Sequence, residues 1–123
     1  MNNNVVWVDI PVTDLDRAMV FYSAVLGREV TKAGGPGFVF GLLAHEDMEV
    51  GGCLAEMSDN APSQQGPLIY LNANGRMRLA VEAAQAKGGR VLNDVHQIGP
   101  HGYRAVLLDS EGNRVALHAM ALD

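Results

Sequence analysis

A single cysteine, Cys53, stands in 123 residues. No disulfide can form within the chain, and a lone thiol suits a reducing compartment. Basic residues are also scarce. Nine Lys and Arg face fourteen Asp and Glu, giving a formal net charge of −5 and a pI near 5.2. No basic stripe is present, which argues against nucleic-acid binding, and the negative field suits cationic or neutral ligands better than polyanions. Apolar runs are short. Residues 106–108 are typical, far below the roughly 20 needed to cross a bilayer, so no membrane partner is expected. The opening Met-Asn-Asn-Asn has neither the basic nor the apolar region of a secretory signal, and the expected location is the cytoplasm. Apolar residues at 48% and charged residues at 19% are ordinary globular values that exclude a disordered or collagen-like chain. The length suits one domain.

What is there is a pattern that runs twice. Residues 5–12 read as a strand rich in Val and Ile. Thr13 is placed to cap a helix whose first turn holds Asp14 and Asp16, at the positive end of its dipole. Leu15, Ala18, Met19, Tyr22, Val25 and Leu26 share one side of that helix, and Gly27 stops it. Strands are expected over 29–32, 38–43 and 49–55. Residues 57–66 are polar and Pro-containing and read as a surface linker. The pattern then restarts with a strand over 67–73, Asn74 as cap, a helix with Met77, Val81 and Ala84 inward, and Gly88-Gly89 as stop. Strands over 90–95, 103–108 and 115–120 follow, the last two joined by the turn 110–113. An offset of 61 aligns Val12 with Ala73, Gly27 with Gly88 and Val30 with Val91. An offset of 65 aligns Phe38 with Tyr103 and Gly51 with Ala116. The chain therefore reads as two βαβββ modules, about 4–56 and 67–120, in one domain over 1–123. Arg76 and Arg78 are an oddity, since positive charge at a helix start opposes the dipole.

The segments at 6–18, Phe21-Tyr22 and Val25-Leu26-Gly27 resemble the opening of glyoxalase/bleomycin-resistance/dioxygenase domains, the vicinal oxygen chelate superfamily. The turn Asp109-Ser110-Glu111-Gly112-Asn113-Arg114 is similar to its closing turn. Val50-Gly51-Gly52 and the stretch Ile98-Gly99 to Gly102-Tyr103 resemble the subgroup of predicted enzymes related to lactoylglutathione lyase. The resemblance implies an α+β fold in which each βαβββ module curls its sheet into a half barrel, with helices outside and a cup inside. It also implies where metal-dependent members place their ligands, and those positions here are Trp7, Gly51, Leu68 and Ala116. None offers the imidazole, carboxylate or thiolate that a divalent ion needs. No metal and no cofactor are therefore expected.

Strand alternation assigns faces. If Trp7 faces the cup, so does Asp9, with Tyr70, Asn72 and His118 as counterparts in the second module. Asp9, a carboxylate in mid-strand where Asp is disfavoured, and His118 are the candidate catalytic groups. Trp7, Tyr70 and Asn72 are the candidate ligand contacts. His45, His96 and His101 are expected in or near solvated loops. Cys53 reads as a small buried apolar residue, and Phe38 and Phe40 as core. The leading reading is a protein that binds a small organic molecule in a metal-free cup, with lyase or isomerase chemistry open. A metal-dependent lactoylglutathione-lyase-like or dioxygenase enzyme and a drug-sequestering resistance protein are the alternatives. A homodimer is expected, because curved sheets leave strand edges and apolar faces for a two-fold partner to cover.

Overall fold

One strand order, used twice, organises the chain. The computed structural model describes residues 2–122. The first module runs β1 (Trp7–Pro11), α1 (Leu15–Leu26), β2 (Thr31–Gly35), β3 (Phe38–Leu42) and β4 (Gly51–Ala55). The second runs β5 (Ile69–Asn72), α2 (Met77–Ala86), β6 (Arg90–Gln97), β7 (Tyr103–Leu108) and β8 (Arg114–Ala119), with a short 3₁₀ turn at Gly99–His101 before β7. The two four-stranded sheets have the orders β1-β4-β3-β2 and β5-β8-β7-β6. In each, the first strand lies parallel to the fourth and the other pairs are antiparallel. The architecture is α+β, with open sheets.

The helix termini differ from the sequence reading in instructive ways. Asp14, not Thr13, caps α1, and its side chain accepts the Arg17 backbone N–H at 3.1 Å. Thr13 is occupied elsewhere, donating both its backbone N–H and its hydroxyl to Glu111. Gly27 ends the helix as expected, in the left-handed region at φ 68, with its N–H on the Ser23 carbonyl. Asn74 does not cap α2. Its side-chain oxygen accepts the Met120 N–H at 2.8 Å, and Arg76 takes the cap position with no side-chain cap bond. The Arg76 guanidinium instead donates to the Ala24 carbonyl at 3.2 Å. That places a cation at the C-terminal end of α1, where the dipole favours one and where α1 has no basic residue of its own. Arg78 lies 3.7 Å from Glu82, one helical turn on.

A single core joins the modules. Leu15, Ala18, Phe21, Tyr22 and Val25 of α1 pack with Met77, Ala80 and Ala84 of α2 and with Ile10, Leu54, Ala105, Leu107, Val115 and Leu117 of the sheets. Phe21, absent from the expected inward face, is fully buried, whereas Met19 and Leu26 are only partly so. The Tyr22 hydroxyl donates to Asp109, which is 2% exposed and also accepts the backbone N–H groups of Glu111 and Asn113. The β7–β8 turn is thereby fastened to the middle of α1.

Register refines the repeat. The Val12 N–H bonds the Ala55 carbonyl and the Ala73 N–H bonds the His118 carbonyl, so one bond recurs at offsets of 61 and 63. Phe40 pairs with Ala55 as Arg104 pairs with His118, an offset of 64 for the third strand. The expected 65 is off by one there, and one residue turns a strand over. The counterpart of Ala116 is then Cys53 rather than Gly51, and the counterpart of Arg104 is Phe40. Phe38 and Phe40 are not core. A Cβ on Gly41 would meet Met19, Val30 and Leu15, so the odd positions of β3 face the helix. The two rings stack at 5.5 Å on the other face, with Phe38 64% exposed.

Candidate functional site

Alternation divides each sheet into a face against the helices and a face free of them. Ile10, Leu54, Leu107 and Leu117 point into the core. Their neighbours Trp7, Asp9 and Cys53 in one module, and Tyr70, Asn72, Arg104, Ala116 and His118 in the other, therefore lie on the helix-free faces. All five residues read from the sequence as site residues are on these faces.

In the first module the group is centred on Asp9. The Trp7 indole N–H donates to its carboxylate at 2.9 Å, and the Cys53 thiol approaches the same oxygen at 3.3 Å. Asp9 and Cys53 are paired positions of parallel strands. Burial, then the hydrogen bond to Asp9 and its charge, push the Cys53 thiol up to about 11, so it is a protonated donor at neutral pH rather than a nucleophile. The indole ring, 44% exposed, lies over Gly51, where a Cβ would come within 2.8 Å of it. His45 meets the ring edge-on at 6.0 Å between centroids and holds the Leu43 carbonyl through Nδ1. The loop histidine is thus seated against the site.

In the second module the group is centred on Arg104, which the sequence reading passed over. Its Nε–H donates to His96 Nε2 at 3.1 Å and its Nη1 to the Tyr70 hydroxyl, with the guanidinium 5.9 Å from the Tyr70 ring centre. His96 lies on β6 and not in a loop. His118 is the register partner of both Arg104 and Asn72. Its ring stands 6.1 Å from that of Tyr70, and its Nε2 bonds the His101 carbonyl at 2.7 Å. A carbonyl only accepts, so Nε2 carries hydrogen and Nδ1 faces the surroundings as the second nitrogen. Asn72 turns back to accept the Asn74 N–H. One sequence signal could have found Arg104: it is the lone charge in the strand Tyr103–Leu108.

No hydrogen bond or ring contact joins the two groups among the described residues. A cavity of about 180 Å³ between the sheets is lined by Asp9, Pro11, Ser63, Ile69 and Arg114 among others, and not by Trp7, Tyr70, Asn72 or His118. The segment 57–66 helps to roof it, tied down where Arg114 N–H meets the Ser63 carbonyl and Ser63 N–H meets Asn113. The cavity is smaller than the roughly 300–1,000 Å³ that encloses a drug-sized ligand. The residues do not fit a divalent ion either. No three of His, Cys, Asp and Glu cluster to hold one among the described residues. Of the positions where the resemblance implies ligands, register leaves only Cys53 with a donor atom.

A family model described as a glyoxalase-like domain matches residues 5–118. No curated protein matches the sequence. Among solved structures, a glyoxalase/bleomycin resistance protein from Albidiferax ferrireducens T118 is similar at a TM-score of 0.74 and 18% identity, over 95% of this chain and 98% of that one. A glyoxalase/bleomycin resistance protein/dioxygenase family enzyme from Burkholderia phytofirmans PsJN follows at 0.69 and 18%, over 96% and 99%. A V278E mutant of glyoxalase I from Zea mays is similar at 0.70 and 20%, over 94% of this chain and 45% of that one. At these identities the structural likeness bears on the fold alone.

Proposed function

The chain belongs to the glyoxalase-like family, and we propose that this member binds a small organic molecule, without a metal ion, on the helix-free faces of its sheets. One observation carries the reading. Where metal-dependent relatives are implied to hold ligands, this chain has Trp7, Leu68 and Ala116, with Cys53 by register held as a thiol. What it offers there instead is contact surface. Trp7 and the stacked Phe38 and Phe40 suit an apolar or aromatic body, and Tyr70 and Asn72 supply polar edges. Asp9 and His118 are the acid–base candidates. A lyase or isomerase step would use one of them as base, the Asp9 carboxylate or the bare His118 Nδ1, with the same group returning the proton to the substrate. The test is a thermal-shift screen of tag-free protein over metabolites and cationic drugs, with and without chelator. A ligand at 100 times its dissociation constant adds about 2.7 kcal/mol, and the shift should survive chelation. Near-stoichiometric metal in the purified protein, or a shift that chelator removes, overturns the reading in favour of a metal-dependent lyase or dioxygenase.

The stacked aromatic pair of exposed Phe38 and half-buried Phe40 favours a second reading, sequestration of a cationic drug by an acidic protein. Raised drug tolerance in cells overexpressing the chain, with the drug recovered unchanged, supports it over catalysis. We also propose a homodimer in the cytoplasm. Exposed Val6, Phe38 and Val39 and open sheet edges support the pairing, and the single thiol suits the compartment. A monomeric mass by light scattering at micromolar concentration would count against the dimer.

A further inference from the structure

We propose that Arg104 is an oxyanion-binding residue, and that the small molecule carries a carboxylate which docks on it; this rests on the reading of the helix-free face as the ligand face. The argument begins with charge. The chain holds five more acids than bases, yet none of the ion pairs among the described residues includes Arg104. Its partners are His96 and Tyr70 instead.

The hydrogen-bond directions fix the state of that clamp. His96 Nδ1 lies 2.8 Å from the Asp94 carbonyl, which can only accept, so Nδ1 carries hydrogen. Arg104 Nε can only donate, so His96 Nε2 is bare and the ring is the neutral tautomer. The Tyr70 hydroxyl oxygen accepts the Nη1–H. Two neutral acceptors thus hold the guanidinium plane in place and leave its charge uncompensated. The Nη2 edge has no protein partner among the described residues. Arg76 and Arg114, also without a carboxylate, give their guanidinium groups to backbone carbonyls of neighbouring segments, whereas Arg104 is held by two side chains on the helix-free face with its Nη2 edge open, an orientation suited to a carboxylate from outside.

The class of anion follows from the neighbours. Arg114 is on the same face but four positions along β8 from His118, and its Nε donates to the Gln64 carbonyl. One guanidinium is therefore available, which matches a monoanion rather than a phosphate dianion. The planar fork matches the two oxygens of a carboxylate. The half-exposed Tyr70 ring offers a face for the body of an aromatic acid, with the His118 ring beside it inclined at 65°. The net negative charge of the chain suggested cationic or neutral ligands, but this face has the opposite local sign.

The experiment is an NMR titration of the full chain with benzoate, with benzamide as neutral isostere and inorganic phosphate as dianion. Benzoate should shift the Arg104 Nε–H resonance and the Tyr70 ring, benzamide should not, and phosphate should bind more weakly than benzoate. Arg104→Gln should weaken benzoate about tenfold or more, as losing a charge-assisted hydrogen bond does, and Arg104→Lys should recover part of the loss. If Arg104→Gln fails to fold, Tyr70→Phe frees one side of the clamp and should weaken benzoate while amide dispersion stays native. Benzoate binding that is equal in Arg104→Gln, or phosphate binding tighter than benzoate, overturns the proposal. If instead neutral or cationic compounds from the screen perturb Trp7 or Phe40 and benzoate leaves Arg104 unmoved, the carboxylate assignment falls and the ligand face stands. If no compound perturbs either face, both fall.

Discussion

The Glu111 carboxylate holds the Arg17 guanidinium at 2.7 Å, across 94 positions of sequence. The same carboxylate accepts the N–H groups of Thr13 and Asp14 and the Thr13 hydroxyl. One side chain from the β7–β8 turn thus closes the N-terminus of α1, where orphan donors and a positive dipole end await an anion. The contact is a bond between modules, reinforced beneath by Tyr22 on Asp109.

Glu111 gives stability a defined pH dependence. Burial alone would raise its pKa, but the hydrogen bonds from Arg17, Asp14, Ser110 and Thr13 outweigh that and lower it from 4.5 to about 2. A lowered acid pKa contributes stability in full above the ordinary value and loses it as pH falls through the folded value. Glu111→Gln should therefore cost about 2 kcal/mol at pH 7, since Arg17 is half exposed and the pair is partly screened. That is a drop of several degrees in Tm. The gap between variant and parent should narrow as pH falls from 4.5 towards 2. A gap that stays constant over that range would refute the assignment.

The fold was legible because periodicity and punctuation survive in the sequence. Leu15 to Val25 keep a helical spacing, Gly27 can take φ above zero, and the duplication repeats both. The termini were less legible. Thr13 and Asp14 are both good caps, and which one serves depends on Glu111, a residue far along the chain. Asn74 failed as a cap for the same kind of reason, being engaged by Met120. At the site, alternation placed Trp7, Asp9, Tyr70, Asn72 and His118 on the helix-free faces. Arg104 escaped because the offset of 65 set Tyr103, not Arg104, in line with the aromatic face of β3. A one-residue difference in loop length is invisible in composition, yet it decides which face a side chain occupies.

Gly27 and Arg76 should be energetically coupled. Gly27 sits at φ 68, and a Cβ there would run into the Arg76 guanidinium. Gly27→Ala should cost about 1–2 kcal/mol for the left-handed backbone and more for displacing Arg76 from the Ala24 carbonyl. In an Arg76→Ala background only the backbone part should remain. A double-mutant cycle by chemical denaturation checks this. Strict additivity would mean that Arg76 moves aside freely.

Cys53 should react slowly with thiol reagents. With its pKa at about 11, the thiolate fraction at pH 8 is about 10⁻³, against roughly a quarter for a free cysteine near 8.5. The rate with Ellman's reagent should climb through pH 10 without a plateau. Asp9→Asn removes the acceptor charge and should speed the reaction at pH 8 severalfold, with burial still holding it below the free thiol. An unchanged rate in Asp9→Asn would mean that access, not the carboxylate, governs the thiol.

Chelation should leave the protein as stable as before. A divalent ion needs three or four donors from the protein at about 2 Å. On the first sheet the indole N–H of Trp7 is a donor already on Asp9, and the Cys53 proton lies towards the same oxygen. A metal would have to displace the Cys53 proton and strip Asp9 of both hydrogen bonds to win two ligands, Asp9 and Cys53. On the second sheet, His118 Nε2 is bound to the His101 carbonyl and His96 Nε2 to Arg104, and a guanidinium beside a ligand nitrogen repels a cation. Zn²⁺, Ni²⁺ or Mn²⁺ should therefore leave Tm within error of the chelated protein. The Arg104→Gln variant, which frees His96 Nε2 and removes the repelling charge, should be the first to acquire weak Ni²⁺ affinity. A Tm increase of the parent protein with any of these ions, lost again on chelation, would show that the faces rearrange around a metal.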